Sequence, residues 1–373
     1  MSHSTSLQRA SLTVQIVLLL IMLLGLPLVS PLLTGQDLSS YLEFPPKTRA
    51  VDHAGFSWPV FLGLGLVLAA IVSPMLHRLV STVKAGLPKG IGPTDRFPWW
   101  GWLGLGLGLA DWVLAWTRFE WMQGWQHFTF TPLWIAFILV VNGLSHRRTG
   151  TCLLQRRPGF FLLLFPASAV FWWFFEYLNR FVQNWFYINV QDFSGPEYVL
   201  HASLSFATVL PAVVSLRELL HSWPIFQQAF GSFFRLKPSR PKLLAWCALI
   251  LSGAGLALIG ARSDLLFPLL WVSPLLIIIS VRTLFGQSHV LTDIASGDWS
   301  DVLASASAAL ICGFFWEMWN YFSLAKWVYS IPYVEAVHIF EMPLLGYAGY
   351  LPFGLECVVV AGLVEELCDR ASS

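Results

Sequence analysis

Of the 373 residues, 56% are hydrophobic, 15% aromatic and only 12% charged, with a formal net charge of +1. Soluble domains carry roughly a quarter charged residues, so this composition, at a mean hydropathy of +0.64, excludes an ordinary soluble globule and describes a chain whose surface meets lipid. The near-neutral charge and the lack of any basic run or RNA-binding motif exclude nucleic acid as a partner.

A helix needs about 20 mostly apolar residues to cross a bilayer. In chain order that length predicts about ten spans: 12–33, 57–77, 99–117, 130–146, 158–180, 198–216, 243–261, 265–284, 302–322 and 343–366. The first run is longer than the apolar core of a secretory signal and is followed by no clean small-x-small site, so it reads as a retained span. Lys and Arg collect in alternate links: Arg78, Lys84, Lys89 and Arg96, then Arg147, Arg148, Arg156 and Arg157, then Arg217, Arg235, Lys237, Arg240 and Lys242. These mark the cytoplasmic side and predict cytoplasmic termini for a multi-pass protein of the cell membrane. Segment 226–237 mixes Phe with basic residues and reads as lying along that interface. The link after span 8 fits the alternation least well, because Arg282 is joined there by Asp293, Asp298 and Asp301.

The chain also resembles itself. T-P-L-W-I-A-F (131–137) matches P-L-L-W-V-S-P (268–274), and W-F-F-E-Y-L-N-R-F (173–181) aligns without gaps to F-F-W-E-M-W-N-Y-F (314–322). Each copy then reaches a Trp-x-Tyr, first Trp185 and Tyr187, then Trp327 and Tyr329. The expected fold is therefore an all-α polytopic membrane protein with two parallel four-helix repeats after two N-terminal spans. Its units are 1–98 (two spans and a cytoplasmic loop), 99–220 (repeat 1), 221–242 (an interfacial linker) and 243–373 (repeat 2).

Ionisable groups inside spans are costly and face the bundle or a cavity by default. The i, i+3 spacing puts Glu176 with Asn179, and Glu317 with Asn320, on one helix face. These four are the candidate catalytic residues. At 1.5 Å per residue Glu176 lies roughly 27 Å into its span, near the edge of a core about 30 Å thick. An interfacial carboxylate in an aromatic belt is the alternative for both, and Arg180 at i+4 is a ready partner for Glu176. Glu317 has Tyr321 in that place, so it is either neutral or matched by something from another helix or a ligand. The last span is expected to break, since Gly346, Gly349, Pro352 and Gly354 fall within one crossing. Glu356 follows the break and Glu341 precedes it. With Trp316, Trp327 and Tyr329 they are the candidate substrate-binding residues.

Weaker candidates read structurally. Asp111 is expected to pair with Arg118 two turns on, Glu365 and Glu366 to be solvated, and His201 and His338 have no second ligand at metal-binding spacing. Cys152, Cys247, Cys312, Cys357 and Cys368 are scattered and form no C-x-x-C, so neither a disulfide framework nor a metal site is predicted. No G-x-S-x-G or H-E-x-x-H occurs. No cofactor is indicated by any motif.

The pattern W-E (316–317), K-W-V-Y-S-I-P-Y (326–333) and M-P-L-L-G-Y (342–347) resembles, over about forty residues, the membrane domain of carotenoid (lycopene) cyclases. The resemblance puts Glu317 at that family's acidic position and Pro343 at its proline, and implies an isoprenoid-like ligand. Leu345 and Gly346 stand where the family has paired glutamates, so its cyclisation chemistry is not carried over. Three functions follow as expectations. The first is an embedded enzyme or binder acting on a lipid or isoprenoid, with Glu317 as acid. The others are a proton-coupled transporter and a non-catalytic assembly subunit.

Overall fold

The apolar runs fold into helices, and the breaks between them coincide with Pro, Gly and capping residues. A computed structural model describes residues 12–86 and 94–371, so Lys89 of the first basic link lies outside the described residues. The helices are α1 (Leu12–Thr34, with a π-helical turn near Pro27), α2 (Trp58–Lys84), α3 (Trp99–Trp116), α4 (Phe130–Thr149) and α5 (Pro158–Val182). A strand β1 (Trp185–Ile188) leads to α6 (Gly195–Phe206), α7 (Val209–His221), α8 (Pro224–Phe230), α9 (Pro241–Leu258), α10 (Leu269–Leu284) and α11 (Ser300–Tyr321). After β2 (Lys326–Tyr329), a short hairpin of β3 (His338–Ile339) and β4 (Met342–Pro343) and a 3-10 helix (Leu344–Gly349), the described chain ends on α12 (Tyr350–Ala371).

Among the described residues seven helical segments are long and apolar enough to cross a membrane. These are α1, α2, α4 with the turn before it, α5, α6 with α7, α9 and α11. The other three expected spans fall short in different ways. Helix α10 has 16 residues, α3 is rich in Trp and Gly, and α12 carries Glu356 and ends on Glu365, Glu366, Asp369 and Arg370. Exposed apolar side chains on α1, α2, α3 and α9, such as Leu66, Val113 and Leu251, give the bundle an outer surface suited to lipid.

Local chemistry explains the interruptions. Ser194 and Glu197 form a capping box that starts α6. Between α6 and α7 the ladder breaks. The Ser168 hydroxyl on α5 takes up the freed groups, donating to the Phe206 carbonyl at 2.5 Å and accepting from the Leu210 N–H at 3.0 Å. The expected break in the last span sits earlier than predicted: 343–349 are strand and 3-10 helix, and α12 begins only at Tyr350. Pro352 thus falls in a first helical turn, where its missing N–H leaves no bond unmade.

Each half of the chain uses the same set of packing partners. Helix α3 packs on α4, α4 on α7 and α5 on α7; correspondingly α9 packs on α10, α10 on α12 and α11 on α12. Across the halves α7 meets α11 as α12 meets α5, and α7 meets α12. Strands β1 and β2 pair antiparallel, with Trp185 opposite Tyr329 and Tyr187 opposite Trp327. Alternation along each strand puts these four rings on one face of the ribbon.

Two expected ion pairs do not form. Arg180 turns from Glu176 to the Ser40 carbonyl. Arg118 donates to the carbonyls of Ala115 and Phe322, leaving one Asp111 oxygen without a partner among the described residues. In both cases the carbonyls at the frayed end of a helix or loop outcompete a carboxylate on the same helix. Glu365 and Glu366, expected to be solvated, are instead paired with Arg157 and Arg282. With Asp301 on Arg217 and His221, and Glu218 on Arg156, these pairs tie helix ends together at the face opposite the ribbon. Asp301 is thereby consumed within the bundle rather than left in the least regular link.

Candidate functional site

The two Glu-x-x-Asn motifs are built alike. On α5 the Asn179 amide donates to the Trp185 carbonyl at 2.7 Å, and its oxygen accepts the N–H groups of Asn184 (2.8 Å) and Trp185 (3.4 Å). On α11 the Asn320 amide donates to the Trp327 carbonyl at 2.8 Å and its oxygen accepts the Trp327 N–H at 3.0 Å. Each Asn therefore closes the turn that brings the chain off the helix end into the ribbon. Neither Asn touches the cavity described below, so both hold structure in place rather than standing at a reacting centre.

Each Glu lies one turn deeper. Glu176 is 1% exposed, and one of its oxygens accepts the Tyr187 hydroxyl at 2.6 Å and the indole N–H groups of Trp172 and Trp185 at 3.0 Å each. Glu317 is fully buried, and one oxygen accepts the hydroxyls of Tyr329 and Tyr350 at 2.7 Å each. Trp327 differs from Trp185, since its N–H goes to the Tyr329 hydroxyl at 2.9 Å instead of to the carboxylate. The other Glu317 oxygen has no partner among the described residues. Burial, reinforced by the neighbouring carboxylates, pushes the ribbon phenols of Tyr187 and Tyr329 well above their usual range, which keeps their protons on.

Gly313 explains the second donor to Glu317. In register, Trp172 of α5 corresponds to Gly313 of α11. A Cβ at Gly313 would stand 2.4 Å from the Tyr350 ring, so the missing side chain admits Tyr350 where Trp172 stands in the other half. Gly354 brings α12 equally close, since a Cβ there would lie 2.2 Å from the Ser305 carbonyl oxygen.

These rings wall a cavity of about 380 Å³. Its ribbon end is made by Trp172, Trp185, Tyr187, Trp327, Tyr329 and Tyr350, with Trp271 and Trp316 below them. The opposite wall is α2, which presents Leu64, Val67, Leu68 and Ile71 at helical spacing. Helix α2 is held to the bundle near its two ends: Ser57 and Ala54 exchange backbone bonds with Tyr333, and Arg78 donates to the carbonyls of Ala229 and Ser232. It also packs on the 3-10 helix (Leu344–Gly349), and Leu64, Val67, Leu68 and Ile71 between the ties line the cavity.

The predicted site residues fall into three groups. Trp316, Trp327 and Tyr329 line the cavity. Glu176 and Glu317 sit behind the lining, joined to it through tyrosine hydroxyls. Glu341 also lies outside, ion-paired with the lining residue Lys326, and Glu356 is buried in α12 with one oxygen lacking a partner among the described residues. The three carboxylates Glu176, Glu317 and Glu356 thus do not share the cavity surface. Sequence reasoning missed Trp172, Tyr187, Trp271 and Tyr350 as site residues. Tyr187 had a usable signal, being the counterpart of Tyr329 in the repeated Trp-x-Tyr; Tyr350 had none without the α11–α12 contact.

No group of three or more His, Cys, Asp or Glu side chains among the described residues could hold a metal ion. Comparison of the chain with protein-family models, with curated proteins and with solved structures gives no match.

Proposed function

We propose that the chain is a duplicated membrane protein of about ten spans whose aromatic cavity binds a lipid or isoprenoid-like molecule. The observation that carries this reading is the cavity itself. Its walls are apolar along α2 and aromatic on the bundle side, and its hydrogen-bonding groups gather at the ribbon end. A chain-like ligand with one polar end fits such a space. Entry is from the side, past α2, which among the described residues is hydrogen-bonded to the bundle near its two ends only. The shared packing partners and paired Trp-x-Tyr strands support the duplication, and the basic links support cytoplasmic termini with the ribbon on the opposite side.

In this reading Glu317 acts through Tyr329 and Tyr350, which line the cavity as it does not. It positions them, and any proton it supplies to a ligand passes through them. The resemblance of residues 316–347 to carotenoid cyclases adds weight to an isoprenoid-like ligand. The test is extraction of lipids from membranes with and without the protein, together with lipids that co-purify with it. An apolar molecule retained by the wild type and lost when the cavity is filled supports binding. A lipid profile altered by the wild type but not by Glu317→Gln supports chemistry. Unchanged profiles with no retained molecule sink both. A carrier reading rests on the meeting of the two halves at α7 and α12, and proton-coupled solute flux in reconstituted vesicles is what it requires.

A further inference from the structure

The direction of each hydrogen bond at the ribbon end constrains the polar end of the ligand. An indole N–H can only donate. Trp172 and Trp185 both donate to one Glu176 oxygen, so that oxygen is an acceptor and Tyr187, bound to it at 2.6 Å, also donates. In the other half Trp327 donates to the Tyr329 hydroxyl, which passes its own proton on to Glu317, where Tyr350 donates too. Six donors around the cavity are thereby engaged, five with two buried carboxyl groups and Trp327 with the Tyr329 hydroxyl. What these residues leave facing a ligand is ring faces and phenol lone pairs. Asn184 adds to this. It lines the cavity, is 3% exposed, and its side-chain oxygen, an acceptor, has no partner among the described residues. Among the described residues the lining holds one Lys or Arg, Lys326, which is paired with Glu341 and donates to the Tyr321 carbonyl. Of the lining histidines, His127 meets Phe193 edge-on and His201 stacks on Phe128.

We propose that the ribbon end of the cavity is an aromatic cage for a cationic head, an alkylammonium group on an otherwise apolar chain. Ring faces attract a desolvated cation, most strongly those of Trp, and the lone pairs of Asn184 and the tyrosines accept from an ammonium N–H. A phosphate or carboxylate head finds these six donors already engaged. This inference rests on the reading of the cavity as a ligand site and goes beyond it by fixing the sign of the ligand's polar end.

The test uses the full chain in lipid nanodiscs and three probes of equal chain length added below their micellar or solubility limits: dodecylammonium, dodecanol and dodecyl sulfate. Tryptophan fluorescence reads saturable binding. Gly349→Leu and Ala202→Leu, two independent substitutions in the lining, fill the cavity and give the background from bilayer partitioning. The ammonium probe is expected to bind at least about tenfold tighter than dodecanol, with the sulfate weakest, and both filled variants should lose saturation. Asn184→Leu should narrow the ammonium preference while leaving dodecanol binding within about twofold. Equal or tighter binding of dodecanol or the sulfate, still abolished by filling, overturns the cationic head while leaving the cavity a site. If no probe binds saturably, the site itself falls.

Discussion

The two buried glutamates invite comparison because their surroundings match at one level and diverge at another. Both lie one turn below an Asn that caps the turn into the ribbon, and both take the hydroxyl of the Tyr in the following Trp-x-Tyr. They diverge in the remaining donors. Glu176 collects two indoles, one from its own helix. Glu317 collects Tyr350 from α12, through the space that Gly313 leaves. The first site is closed within one unit, α5 and its ribbon strand. The second joins two helices. The two Glu-x-x-Asn motifs thus share an acceptor and a turn and differ in where a donor comes from.

The largest expected effect comes from removing the acceptors. Glu176→Leu strands two indole N–H groups and one hydroxyl, and Glu317→Leu strands two hydroxyls. Each orphaned buried donor costs about 1–3 kcal/mol, so Glu176→Leu should be the more damaging by about one such increment. Equilibrium unfolding in mixed micelles checks the order, and the reverse order breaks the comparison. Next come the asparagines. Asn179→Ala and Asn320→Ala each lose the bonds that close a ribbon turn, at about 2 kcal/mol apiece, with Asn179→Ala the costlier because it serves one more N–H. Amide hydrogen exchange confined to 184–188 and 326–330 would show the ribbon loosening.

Gly313→Ala should cost about 1–3 kcal/mol by overpacking against Tyr350, whereas Trp172→Phe, which removes only one donor at the corresponding position, should cost about 1 kcal/mol. If Gly313→Ala is neutral in the same unfolding measurement, Tyr350 does not occupy that space. The smallest effect sharpens a negative. A double-mutant cycle between Arg180 and Glu176 should give coupling below about 0.5 kcal/mol, against clearly more for Tyr187 and Glu176.

Much of the architecture was legible because it is written in local patterns. Apolar runs of span length place most helices, and the Glu-x-x-Asn and Trp-x-Tyr motifs lie where the ribbon and its carboxylates are found. The site was legible only in part. Spacing on one helix put Arg180 beside Glu176, but spacing does not say whether a carbonyl elsewhere is a better partner, and the Ser40 carbonyl is the one it meets. Likewise the sequence marks the costly buried acids, while the cavity is lined by the aromatic donors that satisfy them. Tyr350 and Trp271 reach it through contacts more than thirty residues distant in sequence, between helices whose crossing no single-helix pattern encodes.

The claim at the centre is that the paired aromatic modules and α2 enclose one ligand site. Native mass spectrometry of the purified full chain tests it most directly. The wild type should carry an apolar molecule as a discrete added mass, and Gly349→Leu and Ala202→Leu, folded to the same unfolding midpoint, should each lose it. A wild type without added mass, or an adduct that survives both filled variants, would contradict the account.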